Sequence, residues 1–149
     1  QFLVVGGIHY GKGLDLLIES LGKIENRNWT LSIAGYFDKS DSYYSDLVRK
    51  VEKLSLQQNL TFLGECDKNR LEKLYLASDL LIHPSRFESF GMAIGEAIGF
   101  GIPVISSDAG ALPDIYSESP VLFFKSEDID SLGSAIKSVL KPAGYTKLC

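Results

Sequence analysis

Short apolar segments alternate with longer segments of helical periodicity along almost the whole chain. In the longer segments apolar residues recur every three or four positions, as at Leu14, Leu17, Ile18 and Leu21, which is typical of one face of an α-helix. The short segments are continuously apolar, which is typical of strands that are covered on both faces. The pattern predicts strands at residues 2–5, 29–34, 60–63, 80–83, 104–106 and 121–124, and helices at residues 14–24, 41–54, 69–77, from 90 or 91 to 101, and 129–140.

This alternation predicts an α/β fold. Because strands and helices alternate, the strands are expected to form a Rossmann-like, doubly wound parallel sheet of about six strands with helices on both faces. Ligands of such sheets bind at the carboxyl ends of the strands, so the loops that follow the strands are the candidate site. We expect one domain at residues 1–141 and a tail at residues 142–149, taken together from a longer protein.

The composition narrows the classes of partner. The 149 residues suffice for one hydrophobic core, and 45% of them are hydrophobic, as in globular α/β proteins. A net charge of −4 argues against nucleic acid as a partner, because proteins that bind the phosphate backbone are usually basic. No apolar run reaches the length of a membrane span. Cys66 and Cys149 are far apart, which favours free thiols in a reducing compartment and predicts a cytoplasmic protein.

The segment from His83 to Val104 carries the strongest candidate chemistry. It begins and ends in predicted strands and contains a loop followed by a helix. Since the first amides of a helix have no partner within it, those of Phe90, Gly91 and Met92 form a candidate anion site. Glu96 lies roughly 7–8 Å further along the helix, at ~1.5 Å per residue, and its carboxylate can accept hydrogen bonds from two adjacent ribose hydroxyls. The spacing therefore fits a nucleotide with its phosphates at the helix tip.

Two glycines lie inside the same predicted helix. Gly95 and Gly99 each cost about 1 kcal/mol relative to alanine in a helix interior. We expect glycine at such positions where something approaches the backbone closely. The sequence leaves open whether this is a ligand or the packed sheet.

A second candidate loop follows the first predicted strand and is rich in glycine. Gly6, four intervening residues, Gly11 and Lys12 nearly match the phosphate-binding P-loop, but the P-loop requires Ser or Thr where this chain has Gly13. An NTPase is therefore a disfavoured alternative, and a plain tight turn is an alternative for Gly6 and Gly7. Lys12, between two glycines, is a candidate phosphate-binding cation.

The first candidate segment resembles the signature of the retaining glycosyltransferases with two Rossmann-like domains, the GT-B type of group 1 or family 4. This group includes the enzymes that synthesise glycogen, sucrose and lipopolysaccharide. Its pattern is Pro-Ser, a Glu, Phe-Gly, and a second Glu with seven residues between the two acids. The matching residues here are Pro84, Ser85, Glu88, Phe90, Gly91 and Glu96, followed by Ala97, Gly101, Pro103 and Val104. The resemblance extends from residue 4 to residue 140 and is to the C-terminal, donor-binding half of such an enzyme.

The resemblance implies that this domain binds a nucleotide-diphosphosugar, and that the whole enzyme transfers the sugar to an acceptor. Glu88 and Lys12 are the expected catalytic residues, with Glu88 holding the sugar hydroxyls, and Glu96 is expected to bind the ribose. In the family the glycine turn carries an Arg and a Lys that clamp the donor diphosphate. Gly6 and Lys12 fit that pattern, whereas Gly7 stands where the Arg would be.

One of the two cations expected at the diphosphate is therefore missing. The sequence leaves open whether Arg86 or His9 replaces it. Glu65 and Cys66 follow a strand at the same edge of the sheet, and the resemblance implies that they lie near the nucleotide base. His83 ends a strand and is expected to be a satisfied polar group rather than an acid or a base.

The resemblance also implies which cofactors and partners to expect. Lys12 and the helix amides would stabilise the charge on the departing diphosphate, so no metal or other cofactor is expected, and the donor is expected to be UDP-linked. The acceptor domain is expected in an N-terminal half, which could also associate peripherally with a membrane. Two alternatives remain: a non-catalytic nucleotide-sugar-binding module, which Gly7 favours, and the P-loop NTPase.

Overall fold

The computed structural model describes residues 1–140, which form one six-stranded parallel sheet covered by helices. The strands are β1 (Phe2–Val5), β2 (Leu31–Ala34), β3 (Leu60–Gly64), β4 (Leu80–His83), β5 (Val104–Ser107) and β6 (Val121–Phe124). The helices are α1 (Leu14–Gly22), α2 (Ser42–Lys53), α3 (Lys68–Leu76), α4 (Met92–Gly99), α5 (Leu112–Ile115) and α6 (Ile129–Leu140), with a 3₁₀ turn at Tyr10–Lys12.

The strand order is β3-β2-β1-β4-β5-β6, which is the order of a doubly wound sheet. The chain adds β2 and β3 on one side of β1, then returns to add β4, β5 and β6 on the other side. The order therefore reverses between β1 and β4, and ligands of such sheets bind in the crevice at this switch point. This topology confirms the predicted α/β fold and number of strands.

Residues of the central strands alternate between two separate hydrophobic cores. Phe2 and Val4 of β1 pack in the core that α1, α2 and α6 cover. Leu3 packs in the opposite core, which contains residues of α3, α4 and α5. Because both faces of β1 are covered, this strand has apolar residues at every position, which explains its unalternating sequence.

Most predicted elements differ from the structure by one or two residues at one end or at both. Asp41 and Asp67 are caps that lie before their helices, and each carboxylate accepts a backbone N–H of the first turn, as helix caps do. Trp29 precedes β2 rather than belonging to it, and its buried ring stacks on Phe2. A short helix, α5, forms between β5 and β6, where the sequence pattern predicts no helix, with Pro113 in its first turn.

Helix α4 begins at Met92, one or two residues later than predicted. Gly91 is its N-cap and adopts a left-handed conformation, with φ 71° and ψ 52°, that cannot continue a right-handed helix. Across residues 1–140, every helix falls short of the length and hydrophobicity that crossing a membrane would require. The tail expected at residues 142–149 lies outside the described residues.

Candidate functional site

The loops that follow β1 and β4 contact each other at the switch point of the sheet. The amide N–H of Arg86 donates to the carbonyl of Gly11 at 2.8 Å. Gly13, at φ 64°, lies so close to the carbonyl oxygen of Pro84 that any Cβ at this position would clash with it. The two candidate loops of the sequence are therefore one structural unit.

Lys12 and Glu88 form an ion pair across these two loops. Lys12 Nζ lies 2.8 Å from Glu88 Oε2, although the two residues are 76 positions apart in the chain. The buried His83 contributes a second partner, because its Nε2 lies 3.2 Å from the same oxygen. The hydrogen bond from His83 and the neighbouring Lys12 ammonium hold the pKa of Glu88 far below its usual value. Glu88 is therefore a carboxylate at neutral pH, and His83 is a satisfied polar group as expected.

A groove of about 400 Å³ opens beside this ion pair. It is lined by His9, Lys12, Arg86, Phe87, Glu88, Ser89 and Gly110. Gly110 comes from the loop after β5 and has φ 61°, and a Cβ there would clash with the carbonyl oxygen of Glu88. Three loops at the carboxyl edge thus enclose the groove, as the position of the switch point predicts.

The guanidinium of Arg86 is bound to groups of the protein itself, although the residue also lines the groove. Its guanidinium makes two hydrogen bonds to the Asp15 carboxylate, at 2.8 and 2.9 Å, and one to the carbonyl of Tyr10 at 2.9 Å. It also stacks 4.0 Å above the ring centroid of Tyr10. The Asp15 carboxylate raises the pKa of Arg86, and the guanidinium and Tyr43 lower that of Asp15 despite its burial. Arg86 therefore holds the loop after β4, which carries Glu88, against α1.

The glycine-rich loop after β1 determines the path of the Lys12 side chain. Gly6 has φ 146°, and a Cβ there would lie only 3.2 Å from Lys12 Cε, so the lysine stem passes directly over this glycine. Gly7 is different, since its φ is outside the left-handed region and a Cβ would meet only ordinary contacts at 3.8 Å. The backbone therefore requires glycine at Gly6 but tolerates a side chain at Gly7.

The N-terminus of α4 faces the same edge of the sheet. The amide N–H groups of Phe90, Gly91 and Met92 have no acceptor within residues 1–140, so they can bind an anion. The Tyr116 hydroxyl lies 3.2 Å from the carbonyl oxygen of Phe90 and 3.1 Å from that of Gly91. This buried tyrosine, which the sequence analysis did not identify, fixes the turn that presents the amides.

Glu96 lies on the exposed side of α4, where its Oε2 accepts a hydrogen bond of 2.7 Å from the Tyr75 hydroxyl. A Cβ added to Gly95 would lie 3.3 Å from the Tyr116 hydroxyl, so close approach explains this glycine. A Cβ at Gly99 would have no neighbour within 4 Å among the described residues. Of the two alternatives that the sequence leaves open, the packed sheet therefore does not apply to Gly99, and a ligand there stays a prediction.

Glu65 and Cys66 follow β3 at the same edge of the sheet but away from the switch point. Strand β2 separates β3 from β1, which is about 10 Å at the usual spacing of strands. Glu65 is exposed, and the half-buried Cys66 thiol contacts the carbonyl of Gly64 at 3.6 Å. Their predicted place near the base stays a prediction. In the part of the chain that the structure describes, His, Cys, Asp and Glu form no cluster of three able to hold a metal ion.

The sheet order and these loops define a Rossmann-like domain with a candidate anion site at its switch point. The family model of the glycosyl transferases group 1 matches residues 1–147, and the chain belongs to this family. An uncharacterised glycosyltransferase of Methanocaldococcus jannaschii is 34% identical over 147 residues, which cover 97% of this chain and 37% of that protein. The chain therefore spans little more than a third of that relative.

Solved structures with a similar fold include a domain of a protein from the same family. Anabaena HepE in complex with UDP and glucose superposes with a TM-score of 0.85 at 24% identity, covering 99% of this chain and 41% of that one. The C-terminal domain of the group 1 glycosyltransferase LpcC from Francisella tularensis has a TM-score of 0.85 at 23% identity, covering 99% and 79%. The fold is thus that of the C-terminal domain of GT-B glycosyltransferases.

Proposed function

We propose that this chain is the donor-binding domain of a retaining glycosyltransferase and binds a nucleotide-diphosphosugar. The observation that carries the proposal is the Lys12–Glu88 ion pair of 2.8 Å at the switch point, with amides of the α4 N-terminus at the same edge that have no acceptor among residues 1–140. A cation and free amides suit a diphosphate, and a carboxylate beside them suits the hydroxyls of the attached sugar.

The ammonium group of Lys12 can bind Glu88 and a diphosphate at the same time. An ammonium group has three N–H donors, and one of them is directed at Glu88. The other donors are available for phosphate oxygens, where the positive charge would offset the charge that develops on the departing diphosphate. The amides of Phe90, Gly91 and Met92 would add to this stabilisation, so the proposed reaction needs no metal. In this proposal Glu88 orients the sugar.

Glu96 is the proposed ribose ligand. It lies on the exposed side of α4, four residues after Met92, which is about one helical turn from the tip. Its carboxylate is therefore placed to accept hydrogen bonds from ribose hydroxyls while the phosphates remain at the amides. The bound UDP in HepE, which has the same fold, supports a UDP-linked donor for this chain.

The acceptor site belongs, in this proposal, to the part of the protein that the relatives have and this chain does not span. That part could also associate with a membrane surface. We propose the cytoplasm as the compartment, because Cys66 is a free thiol within the described residues. A second candidate function is a domain that binds the donor without catalysing transfer. Gly7 favours it, because the glycine-rich loop after β1 then offers the diphosphate one cation, Lys12, instead of two.

A thermal-shift panel of UDP, GDP and ADP tests the proposal. A ligand at one hundred times its Kd stabilises the folded chain by about 2.7 kcal/mol, which should raise Tm by roughly 5–10 °C. We expect this shift for UDP, equal in Mg²⁺ and in EDTA, and its loss in Lys12→Met. The absence of a shift with all three nucleotides would overturn the proposal, and a Mg²⁺-dependent shift with ATP would indicate an NTPase instead.

A further inference from the structure

The Tyr75 hydroxyl is the partner of the Glu96 carboxylate, at 2.7 Å across the space between α3 and α4. Tyr75 is 1% exposed whereas Glu96 is exposed, so a ligand at this place would meet chiefly the carboxylate. We infer that Tyr75 is a positioning residue, which fixes the Glu96 carboxylate in the orientation that binds the ribose hydroxyls. The inference rests on the proposed function.

The ring of Tyr75 is itself held rigidly. It stacks on Phe100 with a centroid distance of 5.0 Å and an interplanar angle of 10°. On the other sides it packs in the core that contains Leu3, Leu81 and Ala97. Because the ring cannot change its rotamer without disrupting this packing, its hydroxyl is a donor at a fixed point.

Glu96, in contrast, is an exposed side chain with three rotatable bonds. Without a partner it would sample many rotamers, and a ligand would have to immobilise it, which typically weakens binding by roughly 3- to 10-fold. The Tyr75 bond selects one orientation before the ligand arrives. An ionised carboxylate has about four acceptor sites, so Glu96 retains enough of them for two hydroxyls after accepting the bond from Tyr75.

Tyr75 remains a donor over the whole working range of pH. Its burial, together with the adjacent Glu96 carboxylate, raises the pKa of Tyr75 well above its usual value. The phenol is therefore protonated, and the geometry of the pair does not depend on pH near neutrality. This is the behaviour that a fixed support of a binding carboxylate requires.

The test is calorimetry on Tyr75→Phe with three ligands: UDP, 2′,3′-dideoxy-UDP and inorganic pyrophosphate. We expect the variant to bind UDP 3- to 10-fold more weakly than the unmodified chain, and to bind the other two within 2-fold of it. The preference for UDP over dideoxy-UDP should fall by the same factor. Phenylalanine keeps the ring and its stacking on Phe100, so the fold should be retained.

Tyr43→Phe is the matched control, because the Tyr43 hydroxyl also bonds a carboxylate, that of Asp15 at 2.8 Å. Tyr43 packs against the core on the other face of the sheet from Tyr75. Removal of the Tyr43 hydroxyl should therefore leave the ratio of UDP to dideoxy-UDP affinity unchanged. In a Glu96→Ala background, Tyr75→Phe should have no further effect on that ratio, since there is no carboxylate left to orient.

The outcomes separate this inference from the proposed function. If Glu96→Ala lowers the UDP preference but Tyr75→Phe leaves it unchanged, Tyr75 does not position the carboxylate and the inference is overturned. A fall of equal size with all three ligands would likewise overturn it, because the effect would be a general loss of structure. If the unmodified chain shows no preference for UDP over dideoxy-UDP, the assignment of Glu96 to ribose in the proposed function fails.

Discussion

Lys12 and Arg86 illustrate how two cations in neighbouring loops acquire different roles. The side chain of Lys12 is 23% exposed and its ammonium group can reach a ligand, whereas the side chain of Arg86 is 4% exposed and is held by Asp15. The sequence indicates that both loops lie at one edge, but not which cation is free. That depends on Asp15, which is 71 positions from Arg86 and comes into contact with it only through the packing of α1.

Gly7 is the residue at which the missing cation can be restored. A side chain there meets only ordinary contacts, and φ requires no glycine, so Gly7→Arg should fold normally. We expect the variant to bind UDP and pyrophosphate about 3- to 10-fold more tightly at low salt, because it adds a second cation with a bidentate fork. The gain should shrink in 0.5 M salt.

Calorimetry at two salt concentrations measures this effect, and Gly7→Gln controls for a long side chain without charge. Unchanged affinity of a folded Gly7→Arg at low salt would mean that this turn does not face the phosphates.

Glu88 should make the stability of the chain depend on pH in the acid range. Its pKa lies far below the ordinary 4.5 because of His83 and Lys12, so folding favours the ionised form. This contribution is present in full above the unfolded-state pKa and is lost as pH falls towards the folded-state pKa. We therefore expect the stability advantage of the unmodified chain over Glu88→Gln to shrink from pH 5 to pH 3, by up to about 1.4 kcal/mol per pH unit.

Urea unfolding at pH 5, 4 and 3 measures this difference, and Glu118→Gln is the control because Glu118 is an exposed carboxylate. A constant difference between the unmodified chain and Glu88→Gln over this range would contradict the ion pair of Glu88 with Lys12.

At the scale of elements, helix α4 contains two glycines whose surroundings differ. Gly95 lies under the Tyr116 hydroxyl, whereas a Cβ at Gly99 would meet open space. Gly99→Ala should therefore raise the free energy of unfolding by about 0.5–1 kcal/mol, the usual gain from replacing a helical glycine. Gly95→Ala should gain less or lose stability, since the hydroxyl must move away from the carbonyls of Phe90 and Gly91.

Denaturant unfolding of both variants, alone and combined with Tyr116→Phe, measures the difference. Removal of the hydroxyl should make Gly95→Ala as favourable as Gly99→Ala. If Gly95→Ala and Gly99→Ala gave equal gains while the hydroxyl was present, Tyr116 would not constrain this turn.

The elements themselves were largely predictable, because hydrophobic periodicity is a local property. The sequence did not reveal the side chains from other parts of the chain that contact these elements and fix their positions. Tyr75 and Tyr116 are 21 and 25 positions from the α4 residues they support, and their contacts arise from the packing of neighbouring helices. Nor could it place the start of α4, since the left-handed conformation of Gly91 is set by the surrounding turn.

At the scale of the whole molecule, alternation of strands and helices predicted a parallel sheet but not its strand order. Because the order places β1 beside β4, the glycine-rich loop after β1 lies next to the loop after β4 that carries Glu88. Residues that follow β3 are two strands away and do not join the same cluster. The assembly of the site is thus a consequence of topology, whereas its chemistry is readable in the motifs.

This chain alone should bind the donor but transfer no sugar. It contains the complete switch point of its sheet, so it should bind UDP-glucose with the same dependence on Lys12 as UDP. It spans 37% of its Methanocaldococcus jannaschii relative, and we place the acceptor site in the remainder. We therefore expect donor binding by calorimetry, but no transfer to acceptors when UDP release is followed, against typical enzyme rates of about 1–10³ s⁻¹. Lys12→Met serves as the binding-deficient control. Turnover at ordinary enzyme rates by the chain alone would show that the acceptor site lies within these residues.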